Sequence, residues 1–134
     1  MTTTQDIISA YLVAFNRRDW PGMLALLGDD VVHDINQGGA EHGKPTFAAF
    51  LDRMARCYRE ELRDIVIMVG ADGAHAAAEF QVHGEYLAQD AGLPPARGQR
   101  YALPAGAFFA LKDGRISRVT MYYNLQEWLR QVGA

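Results

Sequence analysis

A phenol at Tyr11, an imidazole at His33 and a carboxylate at Asp34 fall within one short stretch, Ile7 to Ile35. Tyr11 sits on the apolar side of a helical pattern. His33 and Asp34 belong to the run Asp29-Asp30-Val31-Val32-His33-Asp34-Ile35, which must pack against that helix. A tyrosine hydroxyl can donate a hydrogen bond to an oxygen that is gaining negative charge, while an imidazole or a carboxylate can move a proton. The set therefore suits acid/base chemistry beside a carbonyl group. If Val31, His33 and Ile35 share the inward side of a strand, His33 meets the interior; a bulge would turn Asp34 or Asn36 inward instead. Strand alternation favours His33, and both orientations stay open. Each group also has a plainer reading, as a core tyrosine, a satisfied structural histidine and a solvated strand end.

The elements that would position these groups follow from periodicity. Ile7, Ile8, Tyr11, Leu12 and Phe15 recur at helical spacing, and Pro21 opens a second helix whose apolar side is Met23, Leu24, Leu26 and Leu27 before Gly28. A short strand covers Val31–Ile35, Gly38-Gly39 makes a turn, and Pro45 opens a third helix through Phe47, Phe50, Leu51, Met54 and Tyr58. Strand chemistry then takes over at Ile65–Val69 and Ala74–Tyr86, with a loop at Ala88–Gly98. Strands at Gln99–Leu111 and Arg115–Asn124 follow, joined by the hairpin turn Asp113-Gly114. Pro104 and Gly106 predict a bulge or sharp bend in the first of these. Asn124, with Glu127 three residues on, caps a final helix whose apolar face is Leu125, Trp128, Leu129 and Val132. This order predicts a single α+β domain over 1–134, with three N-terminal helices on the concave face of a strongly curved antiparallel sheet and a short C-terminal helix.

Composition excludes several classes. With 134 residues, 49% apolar and 22% charged, the chain can bury a core as one domain. A formal charge of -3 without a basic stripe argues against nucleic-acid binding. The single cysteine, Cys57, forbids an internal disulfide and points to a reducing compartment. His33, His42, His75 and His83 show no metal-binding spacing, so no metal is expected. No apolar run approaches the roughly 20 residues that span a bilayer, and the first residues lack a signal-peptide pattern. No membrane association and a cytoplasmic location are expected.

Several spaced features resemble the nuclear transport factor 2-like superfamily, and within it the SnoaL-like and ketosteroid isomerase-related proteins. They are Tyr11-x4-Asn16, Asp19-x2-Gly22, Leu26, Asp29-Asp30, Gly43, Ala76-Ala77, Glu85-Tyr86 and Gly114-Arg115-Ile116, with Gly92-Leu93-Pro94-Pro95 and Val119–Asn124 closest to the isomerase-related subgroup. The resemblance implies a cone-shaped fold with a cavity. It places the isomerase oxyanion tyrosine on Tyr11 and the general-base aspartate on Ile35, or on Asp34 after a slip of one residue. The second oxyanion donor, a neutral aspartic acid in the isomerases, falls on Gly106. One catalytic group is kept, one is displaced and one is lost, so steroid isomerisation itself is not expected.

Phe15, Trp20, Phe50, Met54, Tyr58, Phe80, Phe108, Met121 and Tyr123 are predicted to face inward, with Ile35 and Val82 beside them, as the lining for a small apolar molecule. Glu79, Gln81, His83, Tyr101, Phe109 and Tyr122 are predicted to face out, where exposed aromatic rings imply a homodimer through the outer sheet face. The expected function is a small cofactor-independent enzyme of isomerase, cyclase or lyase type acting on an apolar carbonyl compound. The alternative is a non-catalytic binding protein for a hydrophobic metabolite.

Overall fold

Thr3 starts the first helix. Its hydroxyl accepts a hydrogen bond from the Asp6 backbone N–H at 3.1 Å, and the Asp6 carboxylate accepts one from the Thr3 N–H at 3.0 Å. Helix α1 then runs Thr4–Asn16 and buries Ile7, Ile8, Tyr11, Leu12 and Ala14. Asp19 caps α2 (Trp20–Ala25) by accepting from the Gly22 N–H at 3.0 Å. A Cβ at Gly22 would stand 2.3 Å from the Asp19 carboxylate, which explains why the aspartate and the glycine occur together at this spacing. The computed structural model describes residues 2–133. It continues with β1 (Leu27–Ile35), β2 (Ala40–His42), α3 (Lys44–Cys57), β3 (Tyr58–Val69), β4 (His75–Tyr86), β5 (Gln99–Lys112), β6 (Arg115–Tyr123) and α4 (Leu125–Val132).

The strands form one curved sheet in the order β2-β1-β6-β5-β4-β3. α1 packs over β3 and β4, α3 over β1 and β3, and α4 against β5. Asn16 fastens the end of α1 to the sheet's edge. Its side-chain amide donates to the Leu62 carbonyl at 3.0 Å and accepts from the Leu62 N–H at 2.8 Å. Ile8, Leu27, Tyr86, Ile116 and Val132 are sealed completely in the core between helices and sheet.

The architecture follows the sequence prediction, with differences of physical origin. The sheet is mixed, because β1 pairs with β6 in parallel while the remaining pairs are antiparallel. The three-residue strand β2 is too short to carry a pattern. β1 begins at Leu27, and Gly28 lies in it instead of ending a helix. β3 begins at Tyr58, not at Ile65, so Tyr58 opens a strand instead of closing the third helix. The inward phase there reads Tyr58, Glu60, Leu62, and a carboxylate at its centre hides the apolar alternation. Between Arg63 and Val66 the register slips, with Asp64 at φ 54°, and this kink bends the edge strand.

The expected bulge at Pro104 and Gly106 does not form. β5 pairs with β4 in unbroken register from Gln99 to Ala110. Ala102, in the same phase as Pro104, turns both backbone groups away from β4 to the Gln131 side chain. At Pro104 the strand β6 has already ended, because its last partner is Ala105. The absent N–H of proline therefore breaks nothing. The irregularity in β5–β6 lies at Ala110/Leu111.

Unbroken alternation corrects three side chains. Phe108, predicted to line the interior, is 48% exposed on the outer face, where it meets Tyr122 edge-on at 5.4 Å. Phe109 and Tyr101, predicted to face out, are 1% and 5% exposed on the inner face.

Candidate functional site

Beneath α1, α2 and α3 lies an inner chamber of about 100 Å³, opening into an outer chamber of about 300 Å³ near the loop 87–98 and α4. His33, Phe50, Met54, Tyr58, Glu60 and Met121 line both. Tyr11, Phe15, Trp20 and Phe80 complete the inner wall, while Ile35, Val82 and Tyr123 line the outer one. Every residue proposed from the sequence as lining is thus placed on the cavity except Phe108. A third and larger depression, about 550 Å³, is an open groove among Arg59, Glu61, Arg63, His83, Glu85 and Arg100. Its charged, solvent-open walls make it a poor site for an apolar ligand.

Tyr11 reaches the inner chamber from the buried side of α1. Its ring stands edge-on to Phe109 at 5.5 Å, and its hydroxyl has no hydrogen-bond partner among the described residues. Burial pushes its pKa far up, so the phenol remains a donor at neutral pH.

His33 comes from the inward phase of β1, between the rings of Phe47 at 5.1 Å and Phe50 at 4.3 Å. Its Nδ1 is buried without a hydrogen bond. Glu41, directly opposite in the β1–β2 register, brings a carboxylate oxygen to 3.6 Å from that nitrogen, too far for a hydrogen bond. Desolvation lowers the His33 pKa below its ordinary 6.5, and the Glu41 carboxylate opposes this only in part. The ring is therefore neutral at pH 7. A proton on Nδ1, toward Glu41, leaves Nε2 as the basic atom.

Asp34 points the other way along β1. It accepts from the Thr120 hydroxyl at 3.4 Å and touches the cavity only at the outer chamber's rim. Gly106 lies in the outward phase of β5, and its neighbour Ala107 lines the inner chamber. No acid therefore reaches the cavity from that part of the strand.

Several polar groups around the expected lining residue Tyr58 escaped the sequence reading. The Tyr58 hydroxyl donates to Asp90 at 2.8 Å, and Arg53 approaches the other Asp90 oxygen at 3.4 Å. The Asp90 backbone N–H donates to the Tyr86 hydroxyl at 3.0 Å, and that hydroxyl donates to the Pro94 carbonyl at 2.7 Å. Tyr101 donates to Glu60 at 2.5 Å. Its ring crosses β4 over Gly84, where an added Cβ would lie 2.4 Å from it. Burial raises the Glu60 pKa, and the Tyr101 hydrogen bond pulls the other way without cancelling it. A glycine facing an aromatic residue was the one signal of this pairing in the sequence. Asp90 sits in a loop without periodicity and gave none. Among the described residues no group of three or more His, Cys, Asp or Glu could hold a metal ion, and none of their helices is long and apolar enough to cross a membrane.

Comparison with known proteins agrees with this architecture. Residues 8–119 match the SnoaL-like domain family, and the chain belongs to it, within the NTF2-like superfamily. A candidate polyketide cyclase from Pseudomonas putida KT2440 is 59% identical, with 98% of this chain and 99% of that chain covered and a TM-score of 0.97. A second from Xanthomonas campestris pv. campestris is 55% identical over 96% and 95% of the two chains, with a TM-score of 0.91. A third from Silicibacter sp. TM1040 is 53% identical over 100% and 98%, with a TM-score of 0.96. No curated protein matches the sequence.

Proposed function

We propose that this protein is a cofactor-independent acid/base enzyme of the cyclase or isomerase type, acting on an apolar carbonyl compound held in the two chambers. One observation carries the proposal: the Tyr11 hydroxyl, which no described protein group bonds, and the neutral His33 ring line the same apolar chamber. His33 Nε2 takes a proton from the carbon beside the carbonyl, and Tyr11 donates to the enolate oxygen that forms. Asp34, bonded to Thr120 at the rim, is the weaker candidate for the base. The names of the three relatives, candidate polyketide cyclases, support this class of reaction. A polyketide-like substrate also suits the flat aromatic walls.

The test is exchange of α-hydrogens for deuterium in an aryl ketone bound by the protein, followed by NMR. Wild-type protein accelerates exchange, and His33→Ala loses about 100-fold or more of it. Equal exchange in the two proteins would overturn the assignment. The lost acid near Gly106 favours a second reading, a carrier for a hydrophobic metabolite, which native mass spectrometry would reveal as a retained ligand. The proposal includes a homodimer through the outer sheet face, where Phe108, Tyr122, Val66 and Met68 are exposed. Sedimentation of Phe108→Arg against wild type tests it, with loss of the dimer expected.

A further inference from the structure

Glu60 occupies a position that no other described residue shares, because it borders the inner chamber, the outer chamber and the open charged groove. It does so from the inward phase of an edge strand, where a carboxylate is an expensive choice beside Tyr58 and Leu62. The fold also invests in holding it. Gly84 leaves a gap in β4 through which Tyr101 reaches across to bond one carboxyl oxygen at 2.5 Å. The other oxygen has no protein partner among the described residues.

We propose that Glu60 is the general acid of the cavity, delivering a proton to the oxygen of the bound carbonyl compound and drawing its replacement from water in the outer groove. The assignment rests on the acid/base reading given above. For the cyclase class proposed there, the substrate is a molecule with two carbonyl groups that closes a ring. His33 Nε2 removes a proton from the carbon beside the first carbonyl. The enolate carbon bonds to the second carbonyl carbon, whose π electrons move onto oxygen, and that oxygen takes the Glu60 proton to become a hydroxyl. The imidazolium then gives its proton to solvent and the Glu60 carboxylate takes one back, so no proton is gained or lost overall. Burial raises the Glu60 pKa and so shifts it toward the neutral, proton-carrying carboxyl. The groove gives it a route to water that does not cross the occupied chambers.

A linear aryl diketone able to close to a hydroxycyclohexanone serves as the probe. α-Hydrogen exchange and ring closure are measured together in wild type, Glu60→Gln and Glu60→Asp, with thermal melting of each. Glutamine keeps an oxygen for Tyr101 but is no acid. The expected result is a fall of about 100-fold in kcat for closure in Glu60→Gln, with KM within threefold and exchange retained. Glu60→Asp, a shorter acid, should fall between Gln and wild type. Closure at the wild-type rate in both variants overturns the Glu60 assignment and leaves the acid/base reading standing. Exchange without closure by wild type also overturns it. Failure of wild type to exchange at all overturns both.

Discussion

The inner chamber and the outer chamber treat their polar groups in opposite ways. In the inner one, Tyr11 and His33 Nδ1 are buried among rings and left without a protein hydrogen bond. At the outer one, Tyr58, Asp90 and Arg53 satisfy one another, and the buried Tyr86 hydroxyl behind them ties Asp90 to the backbone of the loop. An unmet buried hydrogen bond costs about 1–3 kcal/mol, so a fold keeps one only where something else compensates. A satisfied network stiffens what it connects. The contrast marks the inner groups as the working ones and the outer groups as the frame that fixes the mouth.

The widest separation should come from the strand that floors the inner chamber. Phe109→Ala is expected to destabilise the protein by about 3–5 kcal/mol in urea unfolding, because its ring is buried against Tyr11. Phe108→Ala, measured on the monomer, should cost about 0.5 kcal/mol or less. Equal losses would mean that the two faces of β5 are assigned wrongly. Next, Asp90→Asn should lower stability by about 1–3 kcal/mol, since Tyr58 and Arg53 lose their charged partner. It should leave α-hydrogen exchange nearly unchanged. A large loss of exchange at unchanged stability would reverse the roles given to the two chambers.

Tyr11→Phe removes only a hydroxyl that no protein group uses. At least tenfold slower exchange, with an unchanged melting curve, is the expected outcome. The smallest effect concerns pH. His33 is held neutral, its folded pKa below the unfolded value of about 6.5, so the unfolded chain binds the extra proton first. This histidine's contribution to stability is therefore full above about pH 6.5 and is lost as the pH falls toward the lower folded value. In denaturant titrations across that range, wild type should lose stability on acidification relative to His33→Phe if the sign is right.

Much of this was legible in the sequence. Helical spacing located α1, α3 and α4, and simple alternation placed His33, Phe80 and Val82 on the inner side. What escaped had particular causes. Proline and glycine in β5 read as a bulge or sharp bend, yet Pro104 falls where β6 has ended and no donor is required. Tyr58 continued a helical spacing by coincidence, and Glu60 hid the strand that follows. The acid Asp90 is brought to the cavity by a loop, and Glu41 is brought opposite His33 by a strand of three residues. Neither carries a period from which its position could be inferred. The parallel pairing of β1 with β6 joins segments far apart in the chain, and local pattern says nothing about it.

The amide of Asn16 has a consequence beyond fastening a helix. β3 is an outermost strand, and an uncovered strand of this kind offers its main chain to any passing extended peptide. By filling both main-chain groups of Leu62, one side chain imitates a single residue of a neighbouring strand and closes the ladder at that point. Replacing it with a residue that lacks the paired donor and acceptor would leave that margin available for unintended sheet extension.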